Sequence, residues 1–136
     1  MINFTTNLRY SLRLLINLAL GEKIPRKLKT IAGEENISLS YLRKLIIPLD
    51  KAGIVKSSRG PGGGFTLNRE ASDLPLSELI DILDRTSKVL GCVKGLSDCR
   101  RYEDCIVKDL LEEVYDKVQA VFEKRTLATL INRKNK

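Results

Sequence analysis

The stretch from Ser38 to Leu67, SLSYLRKLIIPLDKAGIVKSSRGPGGGFTL, decides the fold. Its first half carries apolar residues at helical spacing after serines that can cap a helix, and Gly53 stands where such a helix would end. Pro48 lies inside this helix and should kink it or loosen the hydrogen bonds of its first turn. The second half predicts two short strands, over 54–58 and 65–67, because a glycine-rich reversal separates them. The stretch therefore predicts a helix followed by a β-hairpin, and the apolar stripe of the helix consists of Leu42, Leu45, Ile46, Leu49 and Ala52.

Two further helices are expected before this stretch. Apolar residues at helical spacing predict a first helix over roughly 6–20, which Thr5 or Thr6 can cap and Gly21 can end. Pro25 suits the first turn of a second, short helix that Gly33 would close. Two helices, a turn, a third helix and a hairpin follow one another in the order of a winged helix-turn-helix. The expected fold class is mainly α with a small β-hairpin.

The C-terminal half predicts a helix over 75–83, a polar segment with cysteines, and a long helix starting near Asp104. Apolar residues three and four apart along the long helix suit a partner helix, and a two-fold homodimer is the simplest source of one. Packing on the chain's own domain is the alternative. Residues 126–131 predict a last short turn of helix before a basic tail. We expect three units: a winged helix-turn-helix DNA-binding module over 1–84, a cysteine-containing cluster-binding loop over 85–105, and a dimerisation helix with the tail over 106–136.

Charge is spread unevenly along the chain. Within a net charge of +7, residues 1–60 carry 11 Lys and Arg against 4 Asp and Glu, and the last 13 residues carry 5 basic and no acidic residues. Basic modules are typical of proteins that bind a polyanion, because each Lys or Arg near a phosphate releases condensed counterions. Ordinary solvated surface is the alternative that charge alone leaves open.

Composition argues against several classes of function. No apolar run approaches the roughly 18 to 20 residues needed to cross a bilayer, and the first residues lack the pattern of an export signal. We therefore expect a cytoplasmic location and no membrane partner. The chain has no His, which removes the commonest general base and the commonest zinc ligand. Neither an enzyme nor a small-molecule substrate is expected.

The outer face of the third helix holds the candidate DNA contacts. If the apolar stripe faces the first two helices, polar side chains near the helix N-terminus would face a major groove, where base edges are read. The hairpin tip has four glycines, which let a backbone approach another surface, and the arginine at its base could enter a minor groove. Solvated surface is the alternative for each residue. The candidates are Ser38, Ser40, Tyr41, Lys44 and Arg59.

Three cysteines form the second candidate site. Cys92, Cys99 and Cys105 have six and then five residues between them, a spacing that a loop can fold into a triangle of thiolates. Thiolates favour iron–sulfur clusters, zinc or copper. The absence of a C-x-x-C pair disfavours a thioredoxin-like exchange enzyme. Three unligated thiols are the remaining alternative.

The recognition-helix run from Ser38 to Leu42, the wing run from Arg59 to Phe65 and the cysteines that follow resemble one bacterial family. They are similar to the Rrf2 family of winged-helix transcriptional regulators, which includes IscR-type cluster regulators, NsrR-type nitric oxide sensors and CymR-type regulators of cysteine metabolism. The resemblance implies a homodimer on a two-fold DNA operator, with the long C-terminal helix crossing the partner and the cysteines holding a cluster nearby. It also implies that Gly60 joins Arg59 in the wing contact.

The resemblance leaves the fourth ligand of a cluster open. Lys108 stands where the IscR type has a His, and Arg9 stands where the NsrR type takes an Asp from the partner subunit. Arg43 stands where the IscR type has an acidic residue that discriminates between operators. Donors that remain are a small external ligand and the side chains of Asn7, Asp98, Glu103 and Asp104.

Three functions stay under consideration. The first is an iron–sulfur-cluster-dependent DNA-binding repressor that senses redox state, iron or nitric oxide, with a [2Fe–2S] or [4Fe–4S] cluster. The second is a cluster-free winged-helix regulator that responds through thiols or a protein partner. The third is a zinc-stabilised interaction module that never touches DNA.

Overall fold

The computed structural model describes residues 5–83 and 99–134. The N-terminal part forms three helices and a hairpin: α1 (Thr6–Leu20), α2 (Leu28–Glu35), α3 (Leu39–Lys51), β1 (Val55–Ser58) and β2 (Gly64–Leu67). A short 3₁₀ turn (Ala71–Asp73) leads to α4 (Leu76–Leu83), and the chain ends in α5 (Lys108–Glu123) and α6 (Leu127–Lys134). This mainly helical architecture with a winged helix-turn-helix confirms the expected fold class.

Helix caps account for several of these boundaries. The Thr5 side chain accepts a hydrogen bond from the Leu8 amide at 3.2 Å, and the Ser38 side chain accepts one from the Tyr41 amide at 3.2 Å. Each bond satisfies an N-terminal amide that has no partner within its helix. The first and third helices therefore begin where the sequence predicts, and α3 continues through Pro48 to Lys51.

The second helix differs from the prediction at both ends. It begins after Lys27 rather than at Pro25, because the main chain of Arg26 pairs with Phe65 of β2 and cannot turn helically. It runs through Gly33 to Glu35, and its C-cap residue Asn36 adopts a left-handed conformation with φ of 53°. Asparagine tolerates this conformation better than most residues. Asn36, and not Gly33, therefore ends α2.

One hydrophobic core joins the first four helices to the last one. The side chains of α1, α2 and α3 interlock beneath the hairpin, and Leu127 of α6 is fully buried in the same cluster. The Leu127 amide donates to the Leu74 carbonyl at 2.9 Å, and the Leu76 amide donates to the Arg125 carbonyl at 2.8 Å. The last helix therefore returns to the N-terminal module, while the three-unit division of the chain stays a prediction. The fully buried side chains of 0% exposure include Leu14, Leu15, Ile31, Leu42, Leu49, Ile54, Leu74 and Leu79.

Helix α5 starts later than predicted and is more exposed than the helices of the core. It starts at Lys108 rather than near Asp104, since residues 99–107 form turns in which the Lys108 amide donates to the Cys105 carbonyl at 3.2 Å. No residue of α5 is buried in the described chain. Leu110 is 60% exposed and Val121 is 49% exposed, and both are among the apolar residues of the long helix whose spacing suits a partner helix. Within the described ranges, no helix is long and apolar enough to cross a membrane.

Candidate nucleic-acid interface and thiol segment

The outer face of α3 presents most of the predicted DNA contacts. Ser38, Ser40 and Lys44 are all exposed, while the opposite face of the helix is buried in the core. The Ser38 hydroxyl oxygen caps α3 and lies 3.4 Å from the Ser40 hydroxyl oxygen. These polar groups therefore lie together at the N-terminal end of α3, and Lys44 follows one turn later.

Tyr41 is placed differently from its neighbours. It is half-buried, and its hydroxyl donates to the side-chain oxygen of Asn7 on α1. Its ring meets the ring of Tyr10 edge to face, with centroids 5.7 Å apart and an interplanar angle of 86°. The guanidinium carbon of Arg13 lies 5.5 Å from the Tyr10 ring centroid. Sequence reasoning missed this packing, which holds Tyr41 between α1 and α3 because aromatic pairs of this geometry attract each other.

The hairpin presents Arg59 and Gly60 at its exposed tip. Strands β1 and β2 pair antiparallel, with Val55 opposite Leu67 and Ser58 opposite Gly64. Gly60 has φ of 95°, a conformation that other residues rarely adopt, and its carbonyl accepts from the Gly63 amide at 2.9 Å. We call β1, β2 and the turn between them the wing. The glycines of the wing therefore let its tip reverse tightly, with Arg59 projecting into solvent.

A third main-chain segment supports the wing. The Arg26 amide donates to the Phe65 carbonyl at 2.9 Å, and the Phe65 amide donates to the Arg26 carbonyl at 2.8 Å. At Gly64 a Cβ atom would overlap the Arg26 main chain, so this approach requires glycine. The chain between α1 and α2 thus pairs with the edge of β2 through Arg26. No alternating apolar pattern in that segment predicted this pairing.

A polar network lies behind the wing, where α1 and α2 meet. The side-chain amide of Asn17, which is 5% exposed, donates to Glu34 and to Glu35 at 2.9 Å each. Arg26 forms an ion pair with Glu34 at 2.6 Å, and Arg13 forms one with Glu35 at 3.2 Å. The hydrogen bond from Asn17 and the guanidinium of Arg26 lower the pKa of Glu34 below its usual value, against the opposing effect of desolvation. The network favours the charged form of Glu34 and links α1 to α2 through side-chain contacts.

The cysteine segment is described in part. Cys99 is exposed, Cys105 is half-buried two residues before the N-cap of α5, and Cys92 lies outside the described residues. Within residues 5–83 and 99–134, no group of three or more His, Cys, Asp or Glu side chains is gathered to hold a metal ion. The structure therefore describes two of the three predicted ligands and leaves their assembly untested.

Lys108 and Tyr102 attach this segment to α5. The Lys108 ammonium lies 4.1 Å from the centroid of the Tyr102 ring, within cation–π range, and 4.0 Å from the Glu103 carboxylate. The Tyr102 hydroxyl donates to Glu112 at 2.9 Å. Lys108, at the position where the resemblance implied a His ligand, thus makes structural contacts at the start of α5.

An apolar groove opens between α1, α4 and α5. The volume of its cavity is about 220 Å³, and the exposed residue Arg9 also contacts it. The groove lies beside α5, whose own apolar side chains are partly exposed. It is lined by Leu8, Leu12, Leu76, Ile80 and Phe122.

Comparison with known proteins decides the family. Residues 4–133 match the family model of Rrf2, which is described as an iron-dependent transcriptional regulator. The chain belongs to the Rrf2 family. IscR of Vibrio atlanticus is 34% identical over 131 residues, which span 96% of this chain and 75% of that protein.

Solved structures of Rrf2-family regulators share the fold. CymR of B. subtilis, called its global cysteine regulator, superposes with a TM-score of 0.79 at 32% identity and covers 98% of both chains. IscR of T. potens also gives a TM-score of 0.79, at 30% identity, over 98% of this chain and 88% of that one. This Rrf2-family chain is therefore a DNA-binding transcriptional regulator and not an enzyme.

Proposed function

We propose that this Rrf2-family chain is an iron–sulfur-cluster-dependent repressor that binds a two-fold DNA operator as a homodimer. Recognition uses α3 and the wing, through Ser38, Ser40, Tyr41, Lys44, Arg59 and Gly60. The cluster is held by Cys92, Cys99 and Cys105. The observation that carries the proposal is the position of Cys105, which lies two residues before the N-cap of the partly exposed helix α5 in a chain that matches an iron-dependent family.

Exposure and charge support the DNA contacts. Lys44 and Arg59 extend into solvent from α3 and from the wing tip, and both can neutralise phosphates. Ser40 stands in the first turn of α3, the part of a recognition helix that meets base edges. Tyr41 is held by Asn7 and Tyr10, so we assign it a contact at the edge of the groove, with its ring orientation fixed before binding.

The apolar surface of α5 supports the homodimer. Val107 at the N-cap of α5 is 50% exposed and Leu110 within the helix is 60% exposed, and the adjacent groove between α1, α4 and α5 is lined almost entirely by apolar residues. A second copy of α5 would cover both surfaces at once and would repeat the contact by two-fold symmetry. Such a dimer would present two copies of α3 to two half-sites of one operator.

The donor chemistry supports a cluster. Thiolates are the usual ligands of iron–sulfur clusters, and the described thiols of Cys99 and Cys105 are accessible or half-buried. The N-terminus of α5 favours negative charge close to Cys105, because its first amides point towards that end. A bound cluster would respond to the availability of iron, to oxidants or to nitric oxide.

The connection between the cysteines and α5 would transmit the response within the protein. Residues 99–107 connect Cys99 to the start of α5, and Tyr102 and Lys108 fix this connection. A change in the thiols would therefore alter the start of α5 and, through the dimer, the spacing of the two α3 helices. The two states regulate transcription only if they differ in affinity for DNA.

An absorption spectrum of anaerobically purified protein, with iron and acid-labile sulfide assayed on the same sample, tests the cluster. Broad absorption near roughly 320–450 nm with matching iron and sulfide is expected from thiolate-ligated iron. Cys105→Ser should lose this absorption, whereas Ser72→Ala, on the exposed turn before α4, should retain it. A wild-type sample that stays colourless after reconstitution with iron and sulfide would refute the cluster.

Exposure of Cys99 favours a second candidate function. An accessible thiol can be oxidised directly, so a cluster-free regulator could respond through its cysteines or through a protein partner. The structural similarity to the cysteine regulator of B. subtilis supports this alternative. A colourless protein whose DNA affinity changes on thiol oxidation would favour it over the cluster. Membership of a family of transcriptional regulators disfavours the zinc-stabilised module.

A further inference from the structure

Arg26 joins the wing to the helix-turn-helix through two separate parts of the residue. Its main chain pairs with Phe65 of β2 through hydrogen bonds of 2.9 and 2.8 Å. Its guanidinium pairs with Glu34 of α2 at 2.6 Å and donates to the Asn17 carbonyl of α1 at 3.4 Å. One residue therefore contacts the wing, α2 and α1 at the same time.

Close packing restricts the movement of this residue. The Arg26 side chain is 21% exposed, and its aliphatic part lies so near Gly21 that a Cβ there would come within 2.8 Å of the Arg26 Cδ. On the other side, Gly64 brings the β2 backbone against the Arg26 main chain. The wing cannot tilt relative to α2 without stretching the Arg26–Glu34 pair or breaking the main-chain pairing.

We propose that Arg26 and Glu34 are positioning residues for DNA binding, which hold the wing at the angle that lets Arg59 and α3 contact one duplex together. The inference rests on the proposed function, because it requires the wing to contact DNA. A wing held in place before binding does not have to be ordered at the moment of binding, which improves affinity without a new contact.

Glu35 provides a matched control within the same network. Like Glu34, it accepts a hydrogen bond from the Asn17 amide at 2.9 Å, and it also pairs with an arginine. That arginine is Arg13, which lies within α1 and not in the segment that pairs with β2. Glu34→Gln and Glu35→Gln each retain an acceptor for Asn17 and each remove one charge, but only the first change weakens the connection to the wing.

A double-mutant cycle tests the inference. The probe is a DNA duplex selected by the wild-type protein from a randomised pool, and its dissociation constant is measured by fluorescence anisotropy for Glu34→Gln, Glu35→Gln, Arg59→Ala and the two double variants. Glu34→Gln should weaken binding by about two- to fivefold, as expected for one partly exposed ion pair. Arg59→Ala should then cost less affinity in the Glu34→Gln background than in the wild type. Glu35→Gln should change affinity by less than about twofold, and Arg59→Ala should keep its full effect beside it.

The outcomes separate the inference from the proposed function. Strictly additive effects of Glu34→Gln and Arg59→Ala, or equal effects of Glu34→Gln and Glu35→Gln, would overturn the positioning role while leaving the wing contact intact. No effect of Arg59→Ala by itself would overturn the wing contact and, with it, the basis of the inference. Arg26→Lys keeps a positive charge opposite Glu34 and should retain more of the coupling than Arg26→Met, whereas equal loss in both variants would contradict a role for the ion pair.

Discussion

Replacement of Leu110 by alanine should weaken the proposed homodimer without unfolding the chain. Leu110 is 60% exposed on α5 and contributes nothing to the buried core, so the monomer loses little when it is shortened. The change removes three carbons, each worth about 0.8 kcal/mol when buried, and scaling by the exposed fraction leaves about 1.4 kcal/mol per protomer. Because the two-fold interface contains the residue twice, the dimer should lose about 3 kcal/mol, a rise in its dissociation constant of roughly 100-fold.

Sedimentation equilibrium over a range of protein concentrations measures this constant directly. Ile24→Ala is the matched control, because Ile24 is 68% exposed but lies in the connection between α1 and α2, beside the wing turn. The control should dimerise like the wild type. If Leu110→Ala dimerises as tightly as the wild type, then α5 is not the interface, and the two-fold arrangement proposed for the operator contact loses its support.

Three further predictions concern the DNA surface and the network behind it. Arg59→Ala should lower affinity for a selected duplex and reduce the salt dependence of binding by about one counterion, and an unchanged salt slope would remove Arg59 from the phosphate contacts. Ser38→Ala should lower the free energy of unfolding by about 1 kcal/mol in denaturant unfolding, because it removes the cap of α3. Ser40→Ala leaves the cap intact and should have the stability of the wild type. Equal losses in the two variants would contradict the capping role of Ser38. The pKa of Glu34 is lower in the folded state than its ordinary value of 4.5, so its stabilising contribution is present above that pH and is lost as the pH falls through the folded-state pKa. Acid unfolding of Glu34→Gln should therefore lack this component and show a shallower loss of stability below pH 4.5, and identical acid profiles would show that Glu34 does not contribute.

Local signals were sufficient to predict the helix-turn-helix and the wing. The bounds of α1, a serine cap on α3 and the paired strands follow from capping residues, helical periodicity and the glycine-rich turn, all of which act within a few residues along the chain. The exposed positions of Ser40 and Lys44 follow from the same periodicity, because burying one face of α3 leaves the other in solvent, and the exposed position of Arg59 follows from the glycine-rich turn. Their role in DNA binding stays a prediction.

Contacts between distant residues account for what the sequence did not predict. The start of α2 depends on the pairing of Arg26 with Phe65, and the orientation of Tyr41 depends on Asn7, 34 residues earlier in the chain. The return of Leu127 into the core likewise depends on a pairing with Leu74 that no local pattern indicates. A single sequence gives the periodicity of each element but not which elements meet.

Titration of one selected operator duplex with cluster-bound and cluster-free protein, under anaerobic conditions and at the same salt concentration, tests the central claim most directly. The account predicts that the two forms differ in dissociation constant by at least about tenfold, the effect of a coupling free energy near 1.4 kcal/mol. It also predicts that Cys105→Ser binds the duplex like the cluster-free form, whether or not the variant has been treated with iron and sulfide. Equal affinities of the two wild-type forms across several selected duplexes would contradict a regulator whose DNA binding depends on the cluster.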